Sequence, residues 1–160
     1  MIFRCMFTFS TLYICFTCKA LEPVEISGTW ESGSRAIYTV FGTIEVSESH
    51  IRWGQDIKDF ACETEYSKVE QFKTPNYPDN HVSPGEYVDH YYVVKLKLIN
   101  LSCNYRKIGN KQIHSNLGFM QFSVPIESDL DGFLVDYYTV GFNTYNLAGK
   151  PMGWGLVSRK

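Results

Sequence analysis

The stretch that decides the fold is YVVKLKL at residues 92–98. Lys95 and Lys97 alternate with apolar side chains along it. Successive side chains of a β-strand point to opposite faces, so this alternation indicates a strand with one buried face and one face in water. The stretch therefore predicts a half-buried strand whose inner face carries Tyr92, Val94, Leu96 and Leu98.

The same period of two continues toward the C-terminus. Residues 120–126 carry apolar side chains at every second position, and residues 133–138 do so after the Asp131-Gly132 turn signal. Residues 152–157 are apolar but contain Gly153 and Gly155, which is typical of a bent closing strand. This half of the chain predicts a series of strands joined by turns.

Toward the N-terminus the pattern is also alternating. Residues 37–41 and 44–46 read as strands on either side of Gly42, and residues 51–53 follow a tight turn at 47–49. Residues 60–66 fit a further strand, although a helix over residues 57–72 is the alternative because several apolar positions also fit a helical face. About eight strands with short turns predict an all-β fold, an antiparallel up-and-down barrel, with a β-sandwich as the alternative.

The first 20 residues have the pattern of a secretory signal peptide. Arg4 precedes a charge-free, largely apolar run over residues 5–16, and Ala20 is a small residue at the expected cleavage site. The run is short for a bilayer-spanning helix, which needs about 20 apolar residues, so an uncleaved anchor is the weaker alternative. We expect a signal peptide at residues 1–20, one domain at residues 21–160, a secreted or periplasmic location and no stable membrane span after cleavage.

Two cysteines, Cys62 and Cys103, remain once the predicted signal peptide is removed. Two cysteines in an oxidising compartment usually pair, whereas a redox pair favours the C-x-x-C spacing and a structural zinc site needs more ligands. We expect a structural disulfide between them.

Charge and motifs exclude several classes of function. The chain has 15 basic and 17 acidic side chains, and two of the basic ones, Arg4 and Lys19, lie in the predicted signal peptide. This mildly acidic balance argues against a nucleic-acid binder, which would carry a basic stripe. The sequence contains no G-x-S-x-G, no H-E-x-x-H and no Gly-rich phosphate loop. We expect no enzymatic activity, no cofactor and no metal.

A family resemblance rests on residues 26–30, ISGTW. Gly28 and Trp30 resemble the G-x-W signature of the lipocalins and the wider calycin barrels, whose first strand carries a buried Trp. In that family a basic residue near the last strand packs over the Trp and closes one end of the barrel, and Arg159 is the matching candidate. The family's T-D-Y-like second motif is absent, and residues 135–137 (VDY) match it only in part.

One segment interrupts the strand pattern. Residues 73–86 contain three prolines among turn-forming residues, so they cannot form a central strand. Loops of this length are often functional, and Tyr77, His81 and Tyr87 lie in or beside it. We expect a loop that contacts a ligand or a protein partner, with a solvated connection of no function as the alternative.

Two functions of different classes fit these features. The first is a binding protein that holds a small apolar or amphipathic ligand inside the barrel, since an eight-stranded barrel has room for one small ligand. Its expected wall residues are Phe41, Tyr92, Phe122 and Tyr137. The second is an exported protein-binding barrel, such as an inhibitor or an immunity factor, that contacts a secreted partner through its surface loops.

Overall fold

The computed structural model describes residues 25–56, 58–75, 90–108, 111–126 and 139–160. Eight antiparallel strands in these ranges form one closed barrel, in which each strand pairs with its neighbours in sequence and β1 pairs with β8. The strands are β1 Gly28–Ser32, β2 Thr43–Val46, β3 His50–Gly54, β4 Cys62–Thr74, β5 His90–Cys103, β6 Leu117–Ile126, β7 Thr139–Asn146 and β8 Pro151–Arg159. The predicted all-β up-and-down barrel is confirmed, and the alternative sandwich is wrong.

Two short helices lie in the connections, α1 Arg35–Phe41 and α2 Lys111–Asn116. Helix α1 joins β1 to β2 and α2 leads into β6, so both lie at the end of the barrel where β1 ends and β6 begins, which we call the mouth. Neither helix in the described part of the chain is long and apolar enough to cross a membrane.

The strand expected over residues 37–41 is wrong, because this segment is α1. Ile37 and Phe41 are the buried residues of that helix, and a spacing of four places them on one helical face. The intervening Tyr38 and Val40 are also apolar, so this short run fits both periods and its sequence could not separate them. Gly42 ends the helix with a φ of 62°, a conformation that glycine adopts without strain.

The other strand predictions hold within a few residues where the structure describes them, but β4 continues to Thr74 and so includes the first two residues of the segment 73–86 that was expected to be a loop. Tyr92, Val94, Leu96 and Leu98 are buried in the core, whereas Lys97 is exposed. Residues 62–74 are strand β4, so the helix considered for residues 57–72 is wrong. The 133–138 strand and its Asp131-Gly132 turn lie outside the described residues.

The disulfide between Cys62 and Cys103 is confirmed, and it joins register partners of β4 and β5 close to the mouth. It closes a sequence separation of 41 residues, for which the chain-entropy model gives about 4 kcal/mol of stabilisation. It therefore fixes the two longest strands to each other at the end of the barrel that the helices cover.

Candidate functional site

The interior of the barrel holds a continuous series of aromatic contacts. Phe142 lies at its middle, with ring centroids 5.4 Å from both Phe122 and Phe41. Trp30 extends the series at one end, 5.9 Å from Phe122, and Trp53 at the other, 6.0 Å from Phe41. All five side chains are almost fully buried. Side chains rather than an open cavity therefore occupy the barrel along this line.

The expected ligand-wall residues belong to this packed interior. Phe41, Tyr92 and Phe122 have between 0% and 3% of their surface exposed, and Tyr137 lies outside the described residues. Of the three that are described, Phe41 also lines an open groove. An open apolar groove therefore lies at the mouth of the barrel, whereas the described wall residues Tyr92 and Phe122 are packed in its interior.

This groove, which we call the mouth groove, lies between α1 and β8 and has a volume of about 810 Å³. That volume falls within the range of about 300–1,000 Å³ that is typical of small-molecule sites. Its lining residues are Gly33, Ser34, Ala36, Ile37, Val40, Phe41, Ile113, Thr139, Thr144, Met152, Gly153, Trp154, Gly155, Leu156 and Ser158.

Two glycines of β8 make the groove possible. Gly153 pairs with Thr144 and Gly155 with Phe142, so both glycines face the interior, where they present no side chain. A Cβ at position 155 would lie 2.6 Å from the Cγ1 of Ile37, so α1 packs into the space that this glycine leaves. A Cβ at position 153 would meet only the Thr144 hydroxyl, at 3.4 Å. The glycines predicted to bend the closing strand thus seat a helix and leave space beside it.

The groove is uncharged. None of the described residues that line it is acidic, basic or a histidine, and its polar side-chain groups are the indole N–H of Trp154 and the hydroxyls of Ser34, Thr139, Thr144 and Ser158. Thr144 donates to the Gly153 carbonyl at 3.2 Å, and the Thr139 and Ser158 hydroxyls are 3.0 Å apart. Ser34 precedes α1 without capping it through its side chain. These groups can orient a neutral ligand, and they offer no partner for a full charge.

The opposite end of the barrel carries the pair expected from the family resemblance. Trp30 is 2% exposed, and the Cζ of Arg159 lies 5.2 Å from the centroid of its ring system. The indole nitrogen donates to the Ile26 carbonyl at 2.9 Å, and Arg159 donates to the Ser27 carbonyl at 2.6 Å. Both residues are thereby tied to the chain that enters β1.

Sequence reasoning missed a buried histidine at the mouth. His114 of α2 is completely buried, with ring centroids 5.7 Å from Phe41 and 6.1 Å from Trp53. Burial lowers its pKa, and the nearby backbone carbonyl of Val40 offsets this in part. A six-residue helix with one other apolar side chain gives too little periodicity to be found from the sequence, so this histidine had no predicted environment.

A metal at this histidine does not fit the chemistry of the donor atoms. The sulfurs of Cys62 and Cys103 and a ring nitrogen of His114 lie within 4.8 Å of one another. The two sulfurs are bonded to each other, so neither is a thiolate, which is the form of cysteine that binds metals.

The residues assigned to a partner-binding loop follow the end of β4. Tyr77, His81 and Tyr87 lie outside the described residues, and β4 ends at Thr74, just before them. The loop function therefore stays a prediction.

Comparison with protein-family models, with curated proteins and with solved structures finds no match for this chain.

Proposed function

We propose that this chain is an exported barrel that binds a small, neutral, apolar or amphipathic molecule in the mouth groove. The observation that carries the proposal is an uncharged apolar groove of about 810 Å³ in a barrel whose interior is packed with aromatic rings. The disulfide supports export, since disulfides persist mainly in oxidising compartments.

The chemistry of the groove defines the ligand class. Ile37, Val40 and Leu156 supply aliphatic surface, and Trp154, 44% exposed at the rim, supplies an aromatic face. A buried charge without a partner is costly, and the groove has none to offer, so it selects against ions. Hydroxyls near the apolar surface favour a ligand with one or two carbonyl or hydroxyl groups, such as a short alcohol, ester or terpenoid.

The test is a fluorescence titration with N-phenyl-1-naphthylamine, an apolar fluorophore that is uncharged near neutral pH. We expect saturable binding to the wild-type protein and a loss of at least about tenfold in affinity for Gly153→Leu. Gly153 lines the groove, and a Cβ at this position would meet the Thr144 hydroxyl and no backbone atom within 4 Å. Ala148→Leu, an apolar enlargement at an exposed turn residue that does not line the groove, is the matched control and should bind as the wild type does.

Two results would count against the proposal. Absence of saturable binding by the wild-type protein would remove it. Equal binding by Gly153→Leu and the wild type would place the bound fluorophore elsewhere on the protein.

A further inference from the structure

Helix α2 is held at the mouth by a histidine. His114 is the buried residue of this six-residue helix, and its solvent-exposed fraction is 0%. Its neighbour Ile113 is half-buried and lines the mouth groove, whereas the other four residues of the helix are exposed. The Leu147 amide also donates to the Asn116 carbonyl at 2.9 Å, so α2 is held by a backbone hydrogen bond and by a buried titratable side chain where an aliphatic one would be usual.

The surroundings of His114 suit a neutral ring. Phe41 meets it nearly edge-on, with an interplanar angle of 84°, and Trp53 covers it at 33°. Within the described part of the chain, neither ring nitrogen has a hydrogen-bond partner of acceptable geometry, and neither does the indole nitrogen of Trp53. A buried polar group without a partner is unusual in a folded protein and calls for an explanation.

The described residues around His114 offer no counter-charge to a protonated ring. Besides the aromatic rings, it faces the Val40 carbonyl of α1 and the disulfide between β4 and β5, which does not titrate. None of the other described acidic, basic or histidine side chains on the elements packed against it is buried. They are Arg35 of α1, His50 and Arg52 of β3, Glu63, Glu65, Lys68, Glu70 and Lys73 of β4, Lys95 and Lys97 of β5, and Lys111 of α2 itself. Arg52 is paired with Glu45. An imidazolium at this position would be desolvated, with the Val40 carbonyl but no described carboxylate beside it.

We propose that protonation of His114 in mildly acidic solution expels its ring from between Phe41 and Trp53 and releases α2 from the mouth of the barrel. The remaining barrel stays folded, because its strands pair with one another and α2 supplies none of that pairing. Release also removes Ile113 from the wall of the mouth groove, so a bound ligand would dissociate. That last consequence rests on the proposed function, whereas release of the helix does not.

The test of helix release is amide hydrogen exchange of the full chain at about pH 7.5 and about pH 5, corrected for the intrinsic pH dependence of exchange. We expect protection of the Ser115 and Asn116 amides, whose acceptors lie within α2, to fall at least about tenfold at the lower pH, while β6 and β7 keep theirs. Unchanged protection of α2 contradicts the proposal. An equal loss across the whole barrel also contradicts it, because that result is global unfolding.

His114→Phe supplies the matched control, since phenylalanine fills a similar volume and cannot be protonated. In this variant α2 should keep the same amide protection at both pH values. A loss of protection as large as that of the wild type would show that His114 does not cause the pH-dependent release. If this variant does not fold, an NMR titration of the wild type decides. The His114 ring and the α2 amides should titrate with one midpoint, and separate midpoints contradict the proposal.

The ligand consequence is measured separately with N-phenyl-1-naphthylamine, which is uncharged at both pH values. We expect its affinity for the wild type to fall about tenfold or more at the lower pH and its affinity for His114→Phe to stay constant. If the fluorophore fails to bind even near neutral pH, the proposed function fails while the exchange result still decides the switch. Equal affinity at both pH values, together with a released α2, would refute the proposed link between release of the helix and loss of the ligand.

Discussion

Trp30 and Arg159 are direct partners across the seam where the first and last strands close the barrel. The guanidinium of Arg159 lies 5.2 Å from the indole and also donates to the Ser27 carbonyl. A guanidinium on an aromatic face gains electrostatic attraction without needing a carboxylate. Arg159 therefore covers the buried Trp30 and ties the C-terminal strand to the start of β1.

Trp30→Ala should destabilise the protein by about 3–5 kcal/mol, as truncation of a fully buried aromatic side chain usually does. Urea unfolding monitored by far-UV circular dichroism measures the change. The matched control is Trp154→Ala, since Trp154 is 44% exposed and should cost much less. A loss below about 1 kcal/mol for Trp30→Ala would contradict the buried position of this side chain.

Phe142→Ala should cost about 3–5 kcal/mol, because Phe142 bridges Phe41 and Phe122 at the middle of the interior. Phe72 of β4 is 40% exposed, so Phe72→Ala is the matched control, with an expected loss of under about 1 kcal/mol. Equal losses in the free energy of unfolding for the two variants, measured by urea unfolding, would mean that the aromatic series does not stabilise the core.

Replacing both Cys62 and Cys103 by alanine should lower the free energy of unfolding by about 4 kcal/mol, since the bond closes a separation of 41 residues. The same urea titrations measure this. The wild type in a dithiol reductant should approach the double variant in stability. Mass spectrometry that finds two free thiols in protein purified without reductant would rule out the bond.

The stability of the wild type should fall in mildly acidic solution more steeply than that of His114→Phe. Burial lowers the pKa of His114 in the folded state, so between that pKa and the unfolded value near 6.5 the unfolded chain binds more protons. Stability contributed by neutral His114 is therefore present above about pH 6.5 and is lost as the pH falls toward the folded pKa, by at most about 1.4 kcal/mol per pH unit. Urea midpoints of both proteins from pH 7.5 to pH 5 provide the check, and parallel curves would show that His114 contributes no pH dependence.

The barrel could be predicted well from the sequence because a long strand repeats its period several times. Residues 94–98 alternate strictly between apolar and basic side chains, and they form part of β5 with the expected face buried. The strand prediction for residues 37–41 was wrong because nearly every side chain there is apolar, and so short an apolar run fits a strand and a helix equally well. What decides between them is tertiary: Ile37 packs into the space left by Gly155, which lies more than a hundred residues away in the chain.

The candidate site was harder to predict than the fold for the same reason. The sequence showed that Gly153 and Gly155 interrupt an apolar strand. It did not show that α1 packs against them, because their inward orientation depends on the pairing of β8 with β7. His114 looked like one of several scattered histidines, because its burial arises from Phe41 and Trp53 on other elements. Periodicity shows which side of a strand is buried, and it does not show what two distant elements enclose between them.

The most direct test of the central claim is to map where a neutral apolar ligand binds. The measurement is the change in backbone amide chemical shifts during a titration with N-phenyl-1-naphthylamine near neutral pH. The mouth groove predicts saturable changes concentrated at Ile37, Val40, Gly155 and Leu156, with little change at Trp30 and Phe122. Changes concentrated instead at Trp30 and Phe122 would mean that the ligand enters the barrel interior, and they would contradict the account.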